Sequence, residues 1–454
     1  MDDIVYGKIM ICEQEYSFSF EKAKKFFFVH PIKRLEISEF IFLENDEKYY
    51  ENLIGITYDN HLLYFVDVNL VKMSTGEIYG YPKAFIFLQA NLLEWKYNAF
   101  KFKAIILKSS AIDSLQSLEY AYKIRQNIMN DESIDSKCMG KNFEIEYGKC
   151  QVKTHSMVIP YEKKFPIKIE NCLKIDLNDE TEAYDVYILI NKINEVFKFI
   201  FNRCNIAMST IKLITETISV KNLDGNIEEE KFSAHMEYLN QEDEFNGKNI
   251  NENKEYILNH FQDLIDAVNE EIISYYPKDD EQARYVDNEL FIKICGTFER
   301  EFELCYPSFL EDTEPVYRMI KQKILDFMTD LDCEYKGKNS EAREKIKSFK
   351  NTVEKLNEKL EKRLRYAYSQ FEFCLDSKFR MYCRKNNLEE VLPKIIFEEF
   401  ASKRNQYVHT LKAEKFKREE IVGYLIVREL IYCMILKRAK FSDDEITAMI
   451  QSYD

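Results

Sequence analysis

The sequence predicts an α+β chain of more than one domain: an antiparallel β-rich N-terminal part, then an all-α helical bundle. Three observations carry this expectation. Over the first ~120 residues, short apolar-aromatic runs recur between turn residues, as half-buried strands do. From Glu255 onward, apolar residues recur at helical spacing. Between the two, Asn222–Lys254 is rich in Asn, Glu, Asp and Lys and poor in large apolar residues, and it reads as a linker or mobile acidic loop. The expected domains are a β-rich sensor or regulatory domain over 1–221, an acidic linker with a connecting helix over 222–282, and a helical domain over 283–454.

The strand candidates, in order, are Ile4–Cys12, Tyr16–Phe20, Phe26–His30, Phe40–Leu43, Leu62–Val71, Ala84–Leu88 and Phe100–Leu107. Alternation is clearest in Tyr16-Ser17-Phe18-Ser19-Phe20 and Phe100-Lys101-Phe102-Lys103-Ala104. Further strands are expected at Phe143–Tyr147 and Ile167–Leu177. A helix over Val186–Cys204 closes this part, with Ile190, Ile193, Val196, Phe197, Ile200 and Phe201 on one stripe. The helices beyond it are Glu255–Tyr275, Ala283–Tyr306, Glu314–Asp330, Ser340–Asn386, Pro393–Val408, Arg418–Arg438 and Asp443–Ser452. Ser442-Asp443-Asp444-Glu445 has the form of an N-cap with acids in the first turn. The stripe Ile346, Phe349, Val353, Leu356, Leu360 suits a bundle seam better than a zipper, because it lasts little more than two heptads.

At 454 residues with 46% apolar and 14% aromatic content, the chain has material for large cores. It shows no charged-then-apolar leader and no apolar run of about 18 residues, so neither export nor a membrane span is expected. The eleven cysteines form no CxxC pair, and an odd count suits free thiols in a reducing cytoplasm. The net charge of −15 argues against broad coating of nucleic acid. That charge is uneven. Asp224–Glu289 holds 19 acidic and 5 basic residues, a balance of −14, whereas Tyr335–Lys385 holds 15 basic and 7 acidic, a balance of +8. The C-terminal third therefore has a basic segment suited to RNA.

No GxxxxGK[ST] loop, GxGxxG fingerprint, GxSxG elbow or HExxH pair is present, which disfavours nucleotide hydrolysis, dinucleotide chemistry and serine or zinc hydrolysis. His30, His61, His155, His235 and His260 have no partners at metal-ligand spacing, and no cofactor or metal is expected. His409 differs. It lies five positions after Arg404 in Arg404-Asn405-Gln406-Tyr407-Val408-His409, near the end of a helix that carries Phe397, Phe400 and Ala401. An arginine offers a permanent cation for phosphate, and a histidine moves protons near neutral pH. A plainer reading has both residues capping the helix and pairing with nearby acids such as Glu398 or Glu399.

A helical bundle whose penultimate long helix carries R-N-x-x-x-H resembles the HEPN superfamily of nucleases, over roughly Ala283 to the C-terminus. The helix around Leu290–Arg300 is similar to one in ApeA-type anti-phage defence proteins, in which an acid sits at the position of Glu299. The order of a β-rich domain before the bundle is similar too, as architecture more than as motif. The resemblance implies a metal-independent endoribonuclease of abortive infection with a catalytic set of Arg404, Asn405 and His409. It implies a homodimer through the helical domain, an RNA substrate such as tRNA, and a phage-derived trigger sensed by the N-terminal domain. The alternative is a non-catalytic HEPN-like module that serves as a dimer scaffold or partner surface.

Overall fold

The computed structural model describes residues 4–30, 47–73, 77–88, 100–114, 142–148, 150–161, 168–221, 227–239, 253–277, 282, 285–310, 315–336, 339–354, 360–388, 391–410 and 415–452. The chain divides into two compact units, Met1–Asp280 and Glu281–Asp454. The first is an antiparallel β structure with helices and the second is helical, so the chain is α+β.

The first unit begins with six strands: β1 (Ile4–Ile11), β2 (Gln14–Glu21), β3 (Phe26–His30), β4 (Glu47–Thr57), β5 (Leu62–Lys72) and β6 (Ile78–Leu88). They run in the order β3-β2-β1-β4-β5-β6, and a β3–β6 pairing closes them into a barrel. Closure removes the free edges that a six-stranded open sheet would expose. Alternate residues point inward. Ile9, Ile11, Tyr16, Phe18, Phe20, Phe27, Val29, Leu63, Phe65 and Val68 are buried in one cluster. Phe65 is its hub. Phe27 stacks on it at 4.2 Å between ring centroids, and Phe18 and Phe20 meet it edge-on at 5.5 and 5.2 Å.

β6 is shared. Its first half pairs with β3, and its second half, Ala84–Leu88, pairs with β12 (Ile227–Tyr238). From there the sheet runs on through β11 (Thr210–Lys221), β7 (Phe102–Lys108), β10 (Lys168–Thr181), β9 (Cys150–Tyr161) and β8 (Asn142–Tyr147). Helix α1 (Ala183–Phe201) packs against β5, whose residues Leu62–Val66 are all buried. A strand covered on both faces loses its alternation and becomes a continuous apolar run.

Several sequence expectations change. Asn222–Lys254 is not simply a linker, because Ile227–Tyr238 within it is a strand hydrogen-bonded on both sides, to β11 and β6. Among its residues whose burial is described, Ala234 and Met236 are buried, and the acids around them mask the alternation. β4, β9 and β11 were not expected either, while Phe40–Leu43 lies outside the described residues. The single helix expected over Glu255–Tyr275 is three short ones: α2 (Lys254–Asn259), α3 (Phe261–Ala267) and α4 (Glu270–Ile273). The chain leaves helical geometry at Val268, which is extended (φ −83°, ψ 142°). α3 and α4 pack on α1, so they belong to the first unit and do not connect the two.

In the second unit, α5 (Asn288–Cys305), α8 (Leu360–Lys385), α9 (Pro393–Thr410) and α11 (Asp443–Gln451) surround α10 (Arg418–Arg438). Fourteen of the 21 residues of α10 are buried, the pattern of a helix enclosed on all sides. Ser442 caps α11 as the sequence suggested, accepting from Glu445 N while Glu445 reaches back to Ser442 N at 2.8 Å. Two further helices, α6 (Pro315–Glu334) and α7 (Ser340–Glu354), lie against each other as a hairpin. The helix expected over Ser340–Asn386 corresponds to α7 and α8, and residues 355–359 between them lie outside the described residues. Of its apolar stripe, Phe349 is 61% exposed, while Ile346, Val353 and Leu360 are half-buried.

Gly80 faces Phe27 across the barrel closure, and a Cβ there would lie 2.1–2.5 Å from the Phe27 ring. That ring is held on Phe65 and cannot swing aside. Gly80→Ala is therefore expected to destabilise the first unit by roughly 1–3 kcal/mol through overpacking. A urea titration checks this, and an unchanged midpoint would refute it.

Candidate functional site

Helix α9 carries the motif, and its inward face fixes where the motif points. Ile396, Phe397 and Phe400 are fully buried, with Ala401 beside them. Phe397 meets Tyr368 of α8 at 5.6 Å, and Phe400 meets Phe291 of α5 at 4.8 Å. On the other side, Gly423 of α10 lets the helices approach closely, since a Cβ there would stand 2.9 Å from Phe400 Cβ. Lys403 continues this face, three residues after Phe400 and seven after Ile396. It is 3% exposed, its Nζ lies 3.6 Å from Glu420 Oε2, and it sits over the Phe416 ring at 5.1 Å. Glu420 is buried as well and also accepts from Lys417 N at 2.7 Å, capping α10.

Arg404 follows on the edge of that face, half-buried. Its Nη2 donates to Glu299 of α5, at 3.2 Å to Oε1 and 3.5 Å to Oε2. Its Nη1 donates to Asn405 Oδ1 at 3.4 Å. Glu299 lies on α5 next to Phe298 and one turn beyond Cys295, both buried. The Cys295 thiol is pushed well above its ordinary range by burial first and by the Glu299 carboxylate second, against a smaller opposing effect of Arg404. It stays protonated and is no nucleophile.

The Arg404–Glu299 pair is about one-third exposed on both sides. Pairs of this kind are worth little, because water screens them. The carboxylate thus holds the guanidinium in place without binding it tightly. A phosphate, with more charge and the same fork geometry, competes on favourable terms. Asn405 accepts from Arg404 and so steadies it. The plainer reading of the motif, pairing with a nearby acid, finds its acid in Glu299, since Glu399 pairs with Lys417 at 2.8 Å and Glu398 with Lys394 at 3.7 Å. Arg404 takes neither.

α9 continues through His409 to Thr410, although the side chain of His409 lies outside the described residues. Positions 404 and 409 of one continuous helix are about 140° apart around its axis. The remaining five histidines all belong to the first unit. Sequence reasoning brought Arg404, Asn405 and His409 together on one helix but missed Lys403. Its signal was the apolar spacing Ile396–Phe400–Lys403, which places a lysine on the buried stripe.

Elsewhere in this unit, Glu301 is fully buried and accepts from Arg438 Nε at 2.9 Å. Burial raises its carboxyl, and Arg438 opposes the rise. Arg363, also buried, donates to Glu303 at 3.2 Å and stacks over Phe302 at 5.5 Å. These pairs tie α5 to α8 and α10. Among the described residues no helix is long and apolar enough to cross a membrane. Compared with protein-family models, with curated proteins and with solved structures, the chain matches none.

Removing one partner of a buried ion pair leaves the other charge uncompensated. Lys403→Met is expected to cost roughly 3 kcal/mol or more, and Lys403→Met with Glu420→Gln less than the sum of the two single changes. Chemical denaturation of the four proteins forms the cycle that checks this, and strict additivity would refute it.

Proposed function

We propose that the C-terminal unit is a metal-independent endoribonuclease of the HEPN type, acting in anti-phage defence by abortive infection. The observation that carries the reading is Arg404: a half-exposed guanidinium, steadied by Glu299 and Asn405, on the same continuous helix as His409. In this reading the ribose 2′-hydroxyl attacks its neighbouring phosphate and displaces the 5′-oxygen of the next nucleotide. His409 accepts the hydroxyl proton, and a histidine returns a proton to the leaving oxygen. Arg404 exchanges Glu299 for the phosphate and offsets the charge that builds on its equatorial oxygens. The products are a 2′,3′-cyclic phosphate and a 5′-hydroxyl.

The 140° offset between positions 404 and 409 supports a composite site. One motif does not close easily on one phosphate, whereas two motifs facing each other across a twofold axis can. The substrate is a structured RNA such as tRNA, met in the cytoplasm. The N-terminal unit responds to a phage-derived trigger and contributes no catalytic group.

A second reading has support from the same ion pair. With Arg404 already held by Glu299, the helix would also serve as a non-catalytic dimerisation or recognition surface. Activity separates the two. Purified protein is expected to cut RNA in EDTA and leave cyclic-phosphate ends. His409→Ala and Arg404→Ala are each expected to lower the rate at least about a hundredfold while leaving the fold intact. Cleavage that disappears in EDTA and returns with Mg²⁺, or full activity in either variant, would overturn the nuclease reading as stated. Absence of cleavage in the wild type on tRNA, ribosomal RNA and messenger RNA alike would favour the binding module.

A further inference from the structure

The α6–α7 hairpin is built differently from the helices around α10. Among its described residues none is buried. Met319, Ile320, Ile324 and Phe327 on α6 are 51, 48, 39 and 59% exposed. The inward contact of the hairpin is modest, with Leu325 and Met328 of α6 and Ile346 of α7 only half-buried. Arg343 ties α7 to α6 by a two-nitrogen contact with Asp332, at 2.8 and 3.3 Å. Helices gain most of their stability in water from a packed apolar face, and α6 leaves its face open.

The open face has a definite period. Ile320, Ile324 and Phe327, with the half-buried Leu331 after them, are spaced by four, three and four residues, which is the a/d repeat of a coiled-coil seam. Lys323 and Asp330 flank this seam on one side, seven residues apart and both exposed. α6 is also polar from end to end: Lys321 and Lys323 lie in its first half, and Asp326, Asp330, Asp332 and Glu334 in its second. A helix with this arrangement complements itself when reversed. Set antiparallel to a second copy, Ile324 meets the copy's Phe327, Ile320 meets its Leu331, and Lys323 stands opposite its Asp330. Twofold symmetry makes every one of these contacts twice.

We propose that α6 packs antiparallel against α6 of a second copy of this chain, so that the two hairpins form a four-helix interface. Charge selects the orientation. A parallel pair would set Lys323 and Asp330, both at the same flanking position of the repeat, beside Met328 and Tyr335 of the copy, and would lose both opposite-charge contacts. The inference names a surface for self-association and does not depend on whether Arg404 and His409 cut RNA.

The test uses the full-length chain and reads mass in solution by light scattering or sedimentation, with circular dichroism as the control for folding. Wild type is expected to be a dimer at micromolar concentration. Phe327→Asp removes the seam and is expected to yield monomer. Lys323→Glu places two acids opposite each other twice per dimer and is expected to weaken association about tenfold. Asp330→Lys alone does the same. The double variant Lys323→Glu/Asp330→Lys restores opposite charges in the antiparallel arrangement and is expected to regain wild-type association. Recovery is specific to an antiparallel α6 pair, because a purely structural role within one chain would not change the mass. A monomeric wild type, a dimer unaffected by Phe327→Asp, or a double variant weaker than either single one would overturn the proposal. If association behaves as described while cleavage is absent, only the nuclease reading fails. If cleavage persists and α6 does not pair, only this one does.

Discussion

The helical unit depends on how α9 is clamped between α5 and α10. The buried Lys403–Glu420 pair is the centre of that clamp. A lysine and a glutamate out of water gain little net stability from each other, but they tolerate no rotation of the helix. If α9 turned to bring Lys403 into solvent, Glu420 would be left charged in an apolar setting and Phe400 would lose its seat against Gly423 and Phe291. Rotational setting is what the neighbouring residue needs. Arg404 is one position along, 100° further round the axis, and so emerges at the boundary between core and solvent beside Glu299.

This division suits the anion-binding role proposed for Arg404. The stiff, expensive interaction lies one residue inside, where it sets geometry. The weak, replaceable one lies outside, where it holds the guanidinium ready. Had Arg404 been buried as Lys403 is, exchanging its carboxylate for a ligand would expose an uncompensated Glu299, and the site would resist occupation.

Much of this was legible in the sequence, and the misses have physical causes. Strands with one wet face, such as Gln14–Glu21, announce themselves by alternation. β12 does not, because three consecutive acids at Glu228–Glu230 and the small inward Ala234 look like a solvated segment until β6 and β11 are seen on either side. The stripe in α7 was read correctly as a stripe, but it is covered only in part: Ile346 and Val353 are half-buried and Phe349 is exposed. Period shows which side of a helix is apolar, not what covers it. At the site, the spacing of Arg404, Asn405 and His409 was visible, and resemblance pointed to Glu299. The contact between Arg404 and Glu299 was not visible, since it joins residues 105 apart in sequence. Lys403 was overlooked because composition counts every lysine as a surface residue.

The sharing of β6 bears on the order in which the chain assembles. Strands β1 to β6 are consecutive and pair within the first 88 residues, so the barrel has all its parts early. The second half of β6 has no neighbour on its outer edge until β12 arrives, after about 140 further residues have been made. During synthesis at roughly 5–20 residues per second, that edge stays unpaired for some 7–30 seconds. It carries Ala84, Ile86 and Leu88, an apolar strand end of the sort that captures other chains. The barrel is thus a finished core with one sticky margin, and the acid-rich strand that reaches it last also acts as its cover.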